Sequence, residues 1–260
     1  MMAAIFRALR ILSHLIRGMG LALAMHLQEA AGMAVRRDIA MQDWTRRLLE
    51  ILRVNVHHVG TPSEGGATLI VANHISWLDI PVLGAACPSH FLAKAEVGQW
   101  PAIGWLARQA GTLFIRRGGG HLASARRAIR QKLAAGRTVV FFPEGTTTRG
   151  DKVGRFYPRL FQAAMEASRP VQPVAIHYRR RGEPDTLAPF VGDDTFVPHL
   201  WRLLKAPPTD AYVHWGPLLE PADSPAALAR QSHRFCATTV ARLNWIPHEG
   251  HLDLWVEGLA

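Results

Sequence analysis

From residue 52 onward, short apolar runs alternate with longer stretches of helical periodicity, and this alternation restricts the fold more than any single residue does. The runs 67–72, 91–93, 112–115, 138–142 and 171–176 are too short for stable helices and carry little polar interruption, as strands covered from both sides do. Residues 52–56 alternate apolar and polar, the pattern of a half-buried strand, and 211–215 form a later one. Between them, 77–86, 97–108, 121–135 and 158–168 read as helices, and a last helix begins near Ser224 and runs to about Asn244. Strands that alternate with helices predict an α/β fold: a mostly parallel or mixed central sheet flanked by helices. Reactive groups in such sheets gather beyond the strand C-terminal ends, so motifs directly after strands carry the most weight. No repeat, low-complexity tract or Gly/Ser linker divides the chain. The expected organisation is a helical region over 1–51 followed by an α/β domain over 52–260.

The N-terminal region has its own logic. Over 3–27, Phe6, Leu9, Leu12, Ile16, Met19 and Leu23 recur at spacings of three and four, while Arg7, Arg10, His14 and Arg17 recur on another face. This predicts an amphipathic helix with a basic stripe, suited to the headgroup region of an anionic leaflet. The cations interrupt the ~20 apolar residues a membrane span needs and argue against a signal peptide. A second helix is expected over 38–51. The net charge of +10, from 30 Lys and Arg against 20 Asp and Glu, favours phosphates, nucleic acid or an anionic membrane surface. No zinc-finger spacing and no aromatic-rich basic strand supports the nucleic-acid option. The run Arg179-Arg180-Arg181 reads as a solvated, headgroup-facing loop. Cys87 and Cys236 lie far apart without CxxC or His-rich neighbours, which suggests a reduced cytosolic setting and no metal site.

Four segments carry chemistry. In Asn73-His74-Ile75-Ser76-Trp77-Leu78-Asp79, a histidine follows a strand and a carboxylate opens a helix. Five residues of ideal helix would leave the two side chains about 140° apart. They meet only if His74 sits in the loop and Asp79 in the first turn, where Asp79 would fix the imidazole tautomer. The spacing alone is weak, because His248 and Asp253 repeat it in the C-terminal tail. Ser76-x-x-Asp79 also resembles a capping box, a compatible role. The second segment, residues 111–117, is an apolar strand ending in Arg116 and Arg117, and a guanidinium there suits phosphate. The third, residues 139–149, runs from a strand into Pro143-Glu144-Gly145, a turn that holds a carboxylate at the strand end. Thr146, Thr147, Thr148 and Arg149 follow as donors for an anionic substrate. The fourth, residues 171–176, contains Pro173 and suits an edge strand or a strand start.

In their order and spacing these segments resemble the glycerolipid acyltransferase family, which includes the 1-acylglycerol-3-phosphate acyltransferases. That family is marked by Asn-His-x4-Asp, Gly-x-x-Phe-Ile-x-Arg, Phe-Pro-Glu-Gly-Thr and Val-x-Pro-Val blocks, matched at 73–79, 111–117, 142–146 and 171–174. Lys94-x-Glu96 with Pro101 and Gly104 is similar to its connecting segment. The resemblance covers 67–178 closely and 50–245 by general layout.

The resemblance implies that His74 deprotonates an acceptor hydroxyl as it attacks an acyl thioester, with Asp79 orienting it. Lys94 and Arg117 would bind the acceptor's phosphate, and Glu144, Gly145 and Thr146 would position its glycerol. Acyl-CoA or acyl-carrier protein would be co-substrate, with no cofactor or metal. One departure matters: many phosphatidic-acid-forming members have Arg where this chain has Thr147, and the next cation is Arg149. Lysophosphatidic acid is the first acceptor expected and a lyso-ornithine lipid or other lysolipid the second. A lipid esterase would need a Gly-x-Ser-x-Gly elbow, absent here. A non-enzymatic basic membrane- or nucleic-acid-binding protein is the remaining alternative. The expected location is the cytoplasmic face of the inner membrane, with the protein peripheral or shallowly inserted through the N-terminal helix.

Overall fold

Leu69, Ile70, Val71 and Ala72 are all buried, which places their strand at the centre of a sheet covered on both faces. The computed structural model describes residues 1–64, 66–116, 121–221 and 223–245. In chain order the elements are α1 (Met2–Ala30), α2 (Arg37–Leu52), β1 (Val54–Val59), β2 (Leu69–Ala72), α3 (Asp79–Ala86), β3 (His90–Lys94), α4 (Ile103–Gln109) and β4 (Leu113–Ile115). They continue with α5 (His121–Ala134), β5 (Val139–Phe141), α6 (Gln162–Glu166), β6 (Val171–Arg180), β7 (Glu183–Pro184), α7 (Phe196–Lys205), β8 (Thr209–Trp215) and α8 (Pro225–Trp245).

The strands are ordered β1-β8-β6-β2-β5-β3-β4, with β7 paired to β6. β6, β2, β5, β3 and β4 run parallel, and the β6–β8 pair is antiparallel, so the sheet is mixed, as the alternation predicts. Because side chains alternate across a strand, Ile70 and Ala72 join one core with Leu49, Leu52, Val82 and Leu83 from α2 and α3. Leu69 and Val71 join a second with Ile129, Leu133, Leu228 and Val240 from α5 and α8.

Several boundaries differ from the sequence reading for local reasons. The strand expected at 52–56 starts at Val54, because α2 runs through Leu52 and closes on Arg53 in the left-handed region. The helix expected at 97–108 is two pieces, a 3-10 turn over Ala95–Gln99 and then α4, divided at Trp100-Pro101. Gly104 lets them pack backbone to backbone, since a Cβ there would meet the Gly98 carbonyl at 2.3 Å. The helix expected at 158–168 is likewise a 3-10 turn, Pro158–Leu160, and α6, ending before Arg169-Pro170. Pro173 lies inside the central strand β6, not on an edge. Its carbonyl accepts from Gly216, one residue outside the β6–β8 ladder that begins at Val174↔Trp215, so the missing N–H breaks no pairing there. α7 has no counterpart among the expected helices; Pro198 masks it, and a proline is harmless in a first turn.

Of the arginine run, only Arg181 lies in an exposed turn; the other two arginines belong to β6. Arg179, still within β6, donates to the Leu243 carbonyl, while Arg180, which ends the strand, forms a bidentate pair with buried Asp185 at 3.2 and 2.8 Å. Cys87 and Cys236 form no disulfide.

α1 turns a narrow face of Ala4, Ile11, His14, Gly18, Ala22 and Met25 to the rest of the molecule. His14 stacks on Trp44 of α2 with ring centroids 4.6 Å apart. A Cβ on Gly18 would meet Trp44 Nε1 at 2.5 Å, so glycine permits the approach. Phe6, Leu9, Leu12, Ile16, Met19 and Leu23 are all exposed, so the predicted apolar stripe faces outward. By length and composition alone α1 is also long and apolar enough to cross a membrane, a choice between spanning and lying flat that the sequence left open.

Candidate active site

The loop between β2 and α3 is fixed before any catalytic group is considered. Asn73, buried, pairs with the backbone of Ile176 on β6 as a peptide would: Nδ2 donates to its carbonyl at 2.9 Å and Oδ1 accepts from its N–H at 2.7 Å. The chain leaves the sheet at His74 and enters α3 at Asp79. The His74 Nδ1–H donates to Asp79 Oδ2 at 2.7 Å. The same oxygen accepts from the Ile75 and Ser76 amides at 2.8 and 3.0 Å, and Oδ1 accepts from the Tyr178 hydroxyl at 2.8 Å. Capping and imidazole orientation therefore coexist in one carboxylate. With Nδ1–H committed to Asp79, Nε2 is the imidazole's acceptor. The His74 side chain is 19% exposed and that of Asp79 is 0%. The imidazole stacks on Phe142 with centroids 3.9 Å apart and planes 10° from parallel, so neither rotation nor tilt is free.

Glu144 braces this loop from the β5 side. Its Oε1 accepts from the His74 amide at 2.7 Å and its Oε2 from the Gly154 amide at 2.8 Å. Burial pushes its carboxyl above the usual range, opposed by those two amides. Gly145 follows with φ +70°, a conformation glycine adopts without strain. The Thr148 amide donates to the His74 carbonyl at 2.8 Å, and the Thr147 hydroxyl donates to the Phe190 carbonyl. Phe190 in turn donates its N–H to the Ile75 carbonyl at 2.9 Å. Trp77 Nε1 donates to His199 Nδ1 at 3.1 Å, and His199 Nε2 donates to the Pro189 carbonyl at 3.0 Å, so α7 holds the 187–192 segment against the site.

His74 opens on a cavity of about 1610 Å³. Lys94, Gly145, Thr146 and Thr147 line it, and so do apolar residues of the inner faces of α1 and α2, including Leu15, Ala22, Met41 and Leu48. Of the expected site residues, His74, Asp79, Lys94, Glu144, Gly145, Thr146 and Thr147 therefore belong to one region. Arg149 does not line the cavity: it is exposed, carried past the rim as the Thr148 amide turns back to the His74 carbonyl. Arg117, and the His248–Asp253 pair, lie outside the described residues. Among the described residues, no group of three or more His, Cys, Asp or Glu is placed to hold a metal ion.

Three participants have no place in the sequence reading. Arg155 and Arg159 line the cavity, and Tyr178 reaches Asp79. The backbone on either side of Arg155 is fixed, while its side chain is exposed. Gly154 is bonded to Glu144, a Cβ on Gly154 would meet Glu144 Oε2 at 2.5 Å, and Tyr157 donates its N–H to the Pro143 carbonyl at 3.0 Å. The Arg155 guanidinium lies 5.8 Å from the Tyr157 ring centroid. The sequence signal was faint: an arginine beside a glycine, ten residues past the Pro-Glu-Gly turn.

The family model described as Acyltransferase matches residues 53–177. A lyso-ornithine lipid O-acyltransferase of Pseudomonas aeruginosa is 44% identical over 237 residues, covering 88% of this chain and 90% of that protein. The chain belongs to the glycerolipid acyltransferase family. A 1-acyl-sn-glycerol-3-phosphate acyltransferase of Neisseria meningitidis is 34% identical over 177 residues, 67% of this chain and 69% of that one. The crystal structure of the 1-acyl-sn-glycerophosphate (LPA) acyltransferase PlsC from Thermotoga maritima shares the fold, with a TM-score of 0.66 at 21% identity over 94% of this chain and all of that one. In this acyltransferase, three of the four blocks that suggested the family contribute lining residues to one cavity as far as they are described, while the fourth, 171–174, begins β6 and pairs with β2, the strand that leads to His74.

Proposed function

We propose that this acyltransferase moves a fatty acyl group from acyl-CoA or acyl-carrier protein to the hydroxyl of a lysolipid, with His74 as general base. The observation that carries the reading is the 2.7 Å bond from His74 to a buried Asp79, which leaves Nε2 to accept a proton at the cavity. Nε2 takes the acceptor's hydroxyl proton while that oxygen attacks the thioester carbonyl. The tetrahedral intermediate collapses, the C–S bond breaks, and the proton passes from His74 to the departing thiolate. No acyl-enzyme is formed. A base so placed contributes roughly 10²–10⁴ in rate. Glu144 acts through the loop, because both its oxygens are engaged by backbone amides. Lys94, Arg155 and Arg159 supply positive charge for the acceptor headgroup, and the apolar walls from α1 and α2 accommodate acyl chains.

The acceptor favoured is a lyso-ornithine lipid, ahead of the lysophosphatidic acid that the sequence alone put first. Its headgroup offers a carboxylate and no phosphate. That agrees with Thr147 at a position where many phosphatidic-acid-forming relatives have Arg, its hydroxyl already engaged by Phe190. The 44% identity to the Pseudomonas protein points the same way. The cations at the cavity and the Neisseria relative support lysophosphatidic acid as the second reading.

α1 places the enzyme at a membrane. Its outward apolar residues enter the cytoplasmic leaflet of the inner membrane while its arginines meet anionic headgroups. The test is to offer labelled acyl-CoA and acyl-carrier protein with a panel of lysolipids. Acylated ornithine lipid as the main product supports the reading; phosphatidic acid as the main product reverses the two acceptors; no acyl transfer to any lysolipid sinks the proposal.

A further inference from the structure

Asp79 divides its work between two oxygens. Oδ2 is shared by His74 Nδ1, the Ile75 amide and the Ser76 amide, while Oδ1 receives the Tyr178 hydroxyl at 2.8 Å. Three of these donors come from the loop itself and move with it. Tyr178 comes from β6, a different and fully packed element, and its ring sits in the core with Val174, Ile176 and Leu83.

We propose that Tyr178 is a positioning residue for acyl transfer, its hydroxyl setting the plane and charge distribution of the carboxylate that orients His74. The inference rests on His74 being the general base. A carboxylate held through Oδ2 alone can pivot about that oxygen, and the direction of its bond to Nδ1 then drifts. Tyr178 supplies the second point that fixes the plane. The phenol also draws negative charge toward Oδ1, so Oδ2 holds the imidazole proton less tightly than an unbonded carboxylate would. Among the described residues, the charged and titratable groups around this pair are Glu144 from the turn after β5, Asp185 after β7 with its ion-pair partner Arg180 at the end of β6, and His74 itself. Burial and the neighbouring carboxylates of Asp79 and Asp185 push the phenol well above its ordinary range, so it stays a donor wherever the enzyme works.

Tyr178→Phe keeps the ring and removes only the donor. Wild type, Tyr178→Phe and His74→Ala are to be compared in detergent micelles with the lysolipid that the wild type acylates, measuring kcat and KM across pH and helical content on heating. Loss of a hydrogen bond to a buried carboxylate predicts a kcat lower by about tenfold or more. KM for both substrates should change little. The acid limb of the kcat/KM profile should move to higher pH, because Asp79 then favours the protonated imidazole. Site-specific 3-fluorotyrosine at 178, a stronger donor in the same shape, should move that limb to lower pH, and serves if the phenylalanine variant does not fold. A limb unmoved by fluorotyrosine, or a phenylalanine variant that matches wild type in kcat and pH profile, overturns the inference while leaving His74 untouched. Activity surviving in His74→Ala overturns the base assignment instead.

Discussion

The loop that carries His74 and the cationic rim that faces it are built in opposite ways. In the loop, functional residues hold one another: Asn73 to Ile176, His74 to Asp79, Glu144 to the His74 amide. On the rim, Arg155 and Arg159 are exposed side chains whose value lies in what they can reach. Residues that bond one another need fixed types at fixed spacings. Residues that await a substrate need only a charge near the right place, and several sequence positions provide that.

The contrast can be broken by mutation. The largest effect belongs to the loop: His74→Ala should lower kcat by about 10²–10⁴ while the protein still folds cooperatively, with only the modest stability loss expected from one lost bond to Asp79, and steady-state rates beside a melting curve check both parts. Next comes the brace. Gly154→Ala places a Cβ 2.5 Å from Glu144 Oε2, so either the turn or the carboxylate must shift, at a cost of roughly 1–3 kcal/mol in stability. Chemical denaturation measures it, and an unaffected midpoint would show that the brace gives way easily. The rim should respond more gently and differently. Arg155→Ala should raise KM for the lysolipid about tenfold and leave KM for the acyl donor alone, as paired titrations of both substrates would reveal. The smallest effect is expected at Arg149, which does not line the cavity: Arg149→Ala should stay within about twofold of wild type. A large loss there would restore the role that its sequence position suggested.

The same contrast explains what could be read in advance. The mixed sheet followed from the alternation of apolar runs, since β2 and β5 are buried on both faces and tolerate almost no polar residue. His74 and Asp79 were legible because a strand end, a helix start and a spacing coincide there. Tyr178 was not. It sits 99 residues from Asp79, and only the adjacency of β2 and β6 brings it near. The Thr147 hydroxyl bond to Phe190 was hidden because residues 187–192 have no regular pattern and are held by His199 on α7, itself masked by Pro198. For α1, periodicity located an apolar face and a basic one. It could not say that the large apolar side chains would point away from the body, because the contact with α2 depends on Gly18, Ala22 and the stacking of His14 on Trp44.

That outward face also governs how the protein behaves in a test tube. Phe6, Leu9, Leu12 and Ile16 are each at least 55% exposed along one helix, a stripe that water does not tolerate at high protein concentration. Without lipid or detergent the stripe will find a second copy of itself. Size measurements in plain buffer will then report assemblies that grow with concentration and dissolve into monomers when micelles are supplied.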